Sequence, residues 1–157
     1  MDYYQHLCKH IAGLHKNILI ADIVENGSIT ASYSKPLIPR PKPDRLTTML
    51  AQAHLLVSIP KTNEDFFGKA CFTMIYHEGL HIFLFPISKT IKRPSSLLLS
   101  LSNNSNKNNI MAKGRIESNL VNCLFLMVVK PHYSFDDLIP KIMQELKAAG
   151  CNLMIDQ

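Results

Sequence analysis

GKACFTMIYHEGLHIFLFPIS, residues 68–88, decides whether this chain is a metal hydrolase or a sheet protein. Within it, His77-Glu78-Gly79-Leu80-His81 has the outline of a zinc-peptidase motif. In that motif two histidines one helical turn apart share the metal, and the glutamate beside the first activates the bound water. The chemistry therefore requires a helix. Gly79 costs about 1 kcal/mol relative to alanine inside one, and Pro86 follows closely. Residues 71–76 and 80–87 are rich in the aromatic and β-branched side chains that favour strands. A third ligand is missing as well. The extended motif would have glycine and histidine where the chain has Leu84 and Ile87, and no Asp or Glu lies between Gly79 and Ile116. The stretch therefore reads as two strands, residues 71–76 and 80–87, joined by a tight turn over His77-Glu78-Gly79, with His77 and His81 as surface groups beside the turn. A zinc metallopeptidase acting through His77, Glu78 and His81 is the outlying alternative, and adventitious metal binding there stays open.

Further hairpin and helix signals lie on both sides. Residues 18–24 and 28–33 form apolar strand-like runs around Glu25-Asn26-Gly27, and Asn-Gly suits the positive φ angles of a type I′ turn. Before them, Tyr4, Leu7, Cys8, Ile11 and Leu14 recur at helical spacing, with Asp2 as the expected cap and Gly13 near the end. Residues 35–44, KPLIPRPKPD, hold four prolines and read as a stiff connector. Asp44 is placed to cap a second helix with the stripe Leu46, Met49, Leu50, Ala53 and Val57, Met49 as core filling and the end before Pro60. A short helical turn over residues 63–67 closes at Gly68. Residues 122–130 read as a central strand. Ser134 then caps a last helix carrying Leu138, Ile142, Leu146 and Ala149, which Gly150 terminates. At its start Asp136 and Asp137 complement the helix dipole rather than form a catalytic acid pair.

A chain of 157 residues is expected to be one domain, 1–157, large enough to bury its own core. No apolar run approaches the roughly 18 residues of a membrane helix, and MDYYQHLCKH lacks the apolar stretch of a signal peptide. The expected location is cytoplasmic. Cys8, Cys71, Cys123 and Cys151 are widely spaced and form neither a disulfide framework nor a metal set. Cys8 lies between His6 and His10 but falls in the apolar stripe, where a thiol acts as a small hydrophobe. No nucleophile elbow, phosphate loop or dinucleotide fingerprint is present, so no residue is nominated as catalytic, cofactor-binding or metal-binding, and no cofactor is expected.

The net charge of +5 is local. Lys89, Lys92, Arg93, Lys107, Lys113 and Arg115 fall in an acid-free stretch; the other eleven Lys and Arg are outnumbered by twelve Asp and Glu. Residues 88–118, which include NNSNKNN, are expected as a flexible basic insertion, with residues 95–102 as an extra edge strand or apolar patch. No aromatic residue lies between Phe85 and Phe125, so bases have no stacking platform. Weak, sequence-blind nucleic-acid contact through residues 89–115 is the most this segment offers.

The expected order is α-β-β-α-β-β-β-α, an α+β domain with a five-stranded antiparallel sheet and packed helices. With the helix over residues 4–14, ENGSITASYS, the helix after Asp44, GKACFTMIY and LFLMVVKPHYSFDDLIPKIMQEL, the chain resembles the roadblock / dynein light chain family within the profilin-like class. It resembles small archaeal proteins of the same plan more closely. The resemblance implies a non-catalytic module that forms a homodimer or heterodimer with a related domain. The pairing surface would be the edge strand over residues 69–76 with the helix over residues 45–57, and the role that of a scaffold or regulator of small GTPases. The profilin-like class also contains small-molecule sensors, which need a hollow between sheet and helix; the large side chains of the stripes speak against one.

Overall fold

The computed structural model describes residues 3–89 and 123–153. The cap Asp2, the loop NNSNKNN, the edge strand over residues 95–102 and most of the 89–115 nucleic-acid segment lie outside the described residues. In chain order the elements are α1 (Tyr3–Gly13), β1 (Ile18–Glu25), β2 (Ser28–Ser34), α2 (Pro43–Lys61), α3 (Glu64–Phe67), β3 (Thr73–Tyr76), β4 (His81–Lys89), β5 (Cys123–Val129), α4 (Phe135–Ala148) and β6 (Cys151–Leu153). The strands run β2-β1-β5-β4-β3 across the sheet, and β6 pairs with the end of β4. All pairings are antiparallel.

Among the described residues the sheet thus has six strands, not the expected five. The sixth has three residues, with Cys151 and Leu153 buried around half-buried Asn152. Three positions are too few for alternation to stand out after the helix stop at Gly150 (φ 74°). Pro86 lies inside β4, which runs on to Lys89. It is the last residue of β4 opposite β5, facing Leu124; from Ile87 onward β4 pairs with β6. A residue without an N–H is tolerated at that hand-over between partners.

The β1–β2 turn has the geometry its letters require, with Asn26 at φ 50° and Gly27 at φ 76°. Helix α2 departs from expectation at both ends. It starts at Pro43, with Lys42 at the N-cap and Asp44 inside the first turn. Proline suits that first position because its N–H would be unpaired anyway. At the other end Pro60 lies inside the helix. The chain then tightens, with Thr62 N donating to Ile59 O and Asn63 N to Pro60 O.

Side-chain alternation gives the sheet two apolar faces. Ala21, Ile23, Phe83, Phe85, Phe125 and Met127 face α1 and α4, which contribute Cys8, Ile11, Leu138, Ile142 and Leu146. Val24, Leu84 and Leu124 face the opposite way and meet Leu50, Ala53 and Val57 of α2. The result is three layers, with two helices on one face and one long helix on the other.

Candidate functional site

The two outer edges of the sheet differ. On β2 the Gln5 side chain of α1 reaches Ser32: its Nε2 donates to Ser32 O, and its Oε1 accepts from Ser32 N at 3.1 Å. One amide therefore satisfies both backbone groups that a further strand would use there. At the other end of the sheet, no strand among the described residues pairs with the outer side of β3. Met74 and Tyr76 on that strand are 43% and 68% exposed.

Helix α2 has a second apolar stripe beside its buried one. Met49, Leu55, Leu56 and Ile59 are all exposed. Met49 is therefore not core filling: it sits next to the buried Leu50-Ala53-Val57 line, which half-buried Leu46 extends, rather than within it. The helix also leaves part of its sheet face uncovered. Register places Ile20, Val128, Ile82 and Ile75 in one row, Asp22, Leu126 and Leu84 in the next, and Val24 and Leu124 in a third. The core of α2 lies over the third row and Leu84. Between α2 and the first row runs a groove of about 580 Å³. This hollow runs against the sequence expectation, because the stripe residues are large but fill only one end of the face.

The proline-rich connector is a strap rather than a free spacer. Arg40 Nη1 donates to Asp22 Oδ2 at 3.1 Å, and Nη2 donates to Asp22 Oδ1 at 3.0 Å and to Ser32 Oγ at 2.6 Å. Ser32 Oγ in turn donates to Asp22 Oδ1 at 2.7 Å. Among the described residues Asp22 is the one buried charged side chain, and the fork geometry compensates its desolvation. At the near end of the strap Lys35 Nζ donates to His15 O at 3.3 Å and Lys16 O at 2.7 Å. Desolvation there lowers the Lys35 ammonium below its ordinary value.

The His77–His81 stretch is a hairpin. His77 N donates to Leu80 O at 2.9 Å and Leu80 N to His77 O at 3.3 Å, which closes the turn over Glu78-Gly79. His77 lines the groove on the α2 face. His81 lies on the other face, its Nδ1 2.6 Å from the Tyr133 hydroxyl and its ring 4.6 Å from that of Tyr76. The two imidazoles thus point to opposite sides of the sheet and do not converge on one ion. His81 is also not the surface group expected, being half-buried against Tyr133. Burial raises the Tyr133 phenol above its ordinary value, which keeps the hydroxyl protonated. Asp136 and Asp137 occupy the first turn of α4, as their dipole reading required. Cys8 is fully buried, and desolvation, followed by the Asp22 charge, pushes its thiol up to about 12. A thiol so placed is a poor nucleophile.

Sequence reasoning missed Gln5, the Asp22–Arg40–Ser32 clamp and the groove. One faint signal existed: Asp22 is the only charge inside the apolar run of residues 18–24.

Layers, strand path and edges together define a roadblock-like α+β fold. No family model matches the chain, and no curated protein sequence does either. Among solved structures, the chain is similar to a Roadblock/LC7 domain from Streptomyces avermitilis, with a TM-score of 0.55, 11% identity, and 92% of each chain covered. It is also similar to the gliding protein MglB of Thermus thermophilus, with a TM-score of 0.54, 9% identity, and 94% of this chain and 83% of that one covered. Among the described residues no helix is long and apolar enough to cross a membrane.

Proposed function

We propose that this chain is a non-catalytic cytoplasmic interaction module that pairs with a second copy or a related domain through the outer edge of β3 and the exposed stripe of α2. It acts as a regulator or scaffold of the kind that serves small GTPases. The observation carrying this reading is the asymmetry of the sheet. Gln5 occupies the β2 edge, whereas among the described residues no strand pairs with the outer side of β3, which lies beside exposed Met74 and Tyr76. Unpaired strand edges next to apolar surface are what strand-to-strand association uses. The roadblock-like fold of the solved neighbours supports the same reading.

Sedimentation and light scattering test it. A mass of twice 17.7 kDa is expected. A Met74→Lys/Tyr76→Lys variant or a Leu55→Glu/Ile59→Glu variant should return the mass to one chain with unchanged far-UV circular dichroism. A strict monomer at high concentration ends the proposal. The regulatory part is checked by binding of small GTPases loaded with GTP or GDP analogues, where preference for one nucleotide state is expected.

A further inference from the structure

The groove beside α2 runs over the sheet face rather than along the outer side of β3, with Ile75 and His77 at its margin and Met49 and Leu56 shared with the exposed stripe of α2. Its floor is the uncovered end of the sheet, where Ile20 and Ile82 flank Val128, with Leu126 in the next row. Met49 and Leu56 form the helix wall. Its volume of about 580 Å³ falls within the roughly 300–1,000 Å³ typical of small-molecule pockets. From Arg45 to Leu56 the helix rises about 16 Å, at about 1.5 Å per residue, so the groove is elongated.

Its charge is uneven. Arg40 and Arg45 both line it, five residues apart in sequence, from the stretch that leads into α2. Its single carboxylate, Asp22, is already held by Arg40 and Ser32. Among the described residues no acidic group pairs with Arg45. An apolar trough with an unmatched guanidinium at one end is complementary to one kind of small molecule. We propose that this groove binds a single-chain amphiphile with an anionic headgroup, the chain lying along Ile20, Val128 and Ile82 and the head meeting Arg45. A guanidinium presents a donor fork that suits carboxylate and phosphate alike. This inference does not rest on the pairing reading, because it concerns the end of the sheet that α2 leaves open.

The test uses the full chain with dodecanoate below its micelle concentration, followed by displacement of fluorescent dansyl-undecanoate. Dodecanoate and dodecyl phosphate should compete, and dodecyltrimethylammonium, with the same chain and the opposite head, should not. Arg45→Glu is expected to weaken dodecanoate at least tenfold. Leu56→Asp should do the same from the apolar wall. Both residues are exposed, so thermal unfolding should stay near that of the parent. Equal competition by the cationic amphiphile, or binding unchanged in Arg45→Glu, would overturn the proposal. Absence of displacement would do so as well. Binding seen only in the monomer and lost in the dimer would show that a second copy occupies the groove, which also overturns it. A monomeric protein that binds dodecanoate would keep the site and remove the pairing reading, so the two fail separately.

Discussion

Replacing Arg40 by alanine tests whether the strap is part of the folded core or a passive connector. The guanidinium makes two bonds to the Asp22 carboxylate, at 3.1 and 3.0 Å, and one to Ser32 Oγ. Hydrogen bonds to charged groups contribute about 1.5–3 kcal/mol each, and breaking a buried ion pair from one side costs about 3–5 kcal/mol. The Asp22 side chain is only 5% exposed, but that of Arg40 is 30% exposed, so water can partly replace the lost donors. The expected loss is therefore at the lower end, about 3 kcal/mol. At roughly 2–4 °C per kcal/mol for a chain of this size, Tm should fall by about 6–12 °C. Urea unfolding followed by circular dichroism measures the loss directly, with an unchanged slope expected if only the folded state is affected. Arg40→Lys keeps the charge without the fork and should recover part of the loss but not all of it. A loss below about 0.5 kcal/mol in Arg40→Ala, the range of an ordinary surface substitution, would refute the strap. So would full recovery in Arg40→Lys.

Four other outcomes are expected. Gln5→Ala exposes Ser32 N and O on the β2 edge, so stability should fall by about 1 kcal/mol, and light scattering should detect species larger than a dimer. Native protein at pH 8 should react quickly with a thiol reagent only at Cys71, the one of the four cysteines that is not buried, and denatured protein should react at all four. The Cys8 thiol is held up to about 12 in the folded chain, against 9.0 as its ordinary value. Its contribution to stability is thus complete below pH 9 and declines as pH rises toward 12, at about 1.4 kcal/mol per pH unit, visible as a falling urea midpoint. Metal analysis after equilibration with zinc should show no stoichiometric metal that a His77→Ala variant loses; a full equivalent lost in that variant would contradict the opposed directions of His77 and His81.

What the sequence revealed and what it hid divide along sequence separation. The Asn26-Gly27 turn, the stripe of α1 and the apolar run of β5 are each written in adjacent letters, and each appears in the structure. The short strand β6 and the run of α2 through Pro60 depend on where a neighbouring segment lies. The Gln5–Ser32 and Arg40–Asp22 contacts join residues 27 and 18 positions apart. No local periodicity encodes either contact. The same holds for the groove, which arises because α2 is displaced toward one end of the sheet face. Sequence shows the stripe on the helix but not where along the strands that stripe comes to rest. Gly79 was the informative letter in His77–His81, because it marked a turn; the side of the sheet each histidine takes needed the register.

The Gln5 amide also sets a limit on growth. A sheet with one open end has a valence of one, so copies that join through such ends use them up at two. Two open ends would let the same chemistry propagate as a ribbon. Under the proposed pairing through β3, α1 acts as the chain terminator, and a single side chain on the far side of the sheet from β3 separates a closed pair from a fibre.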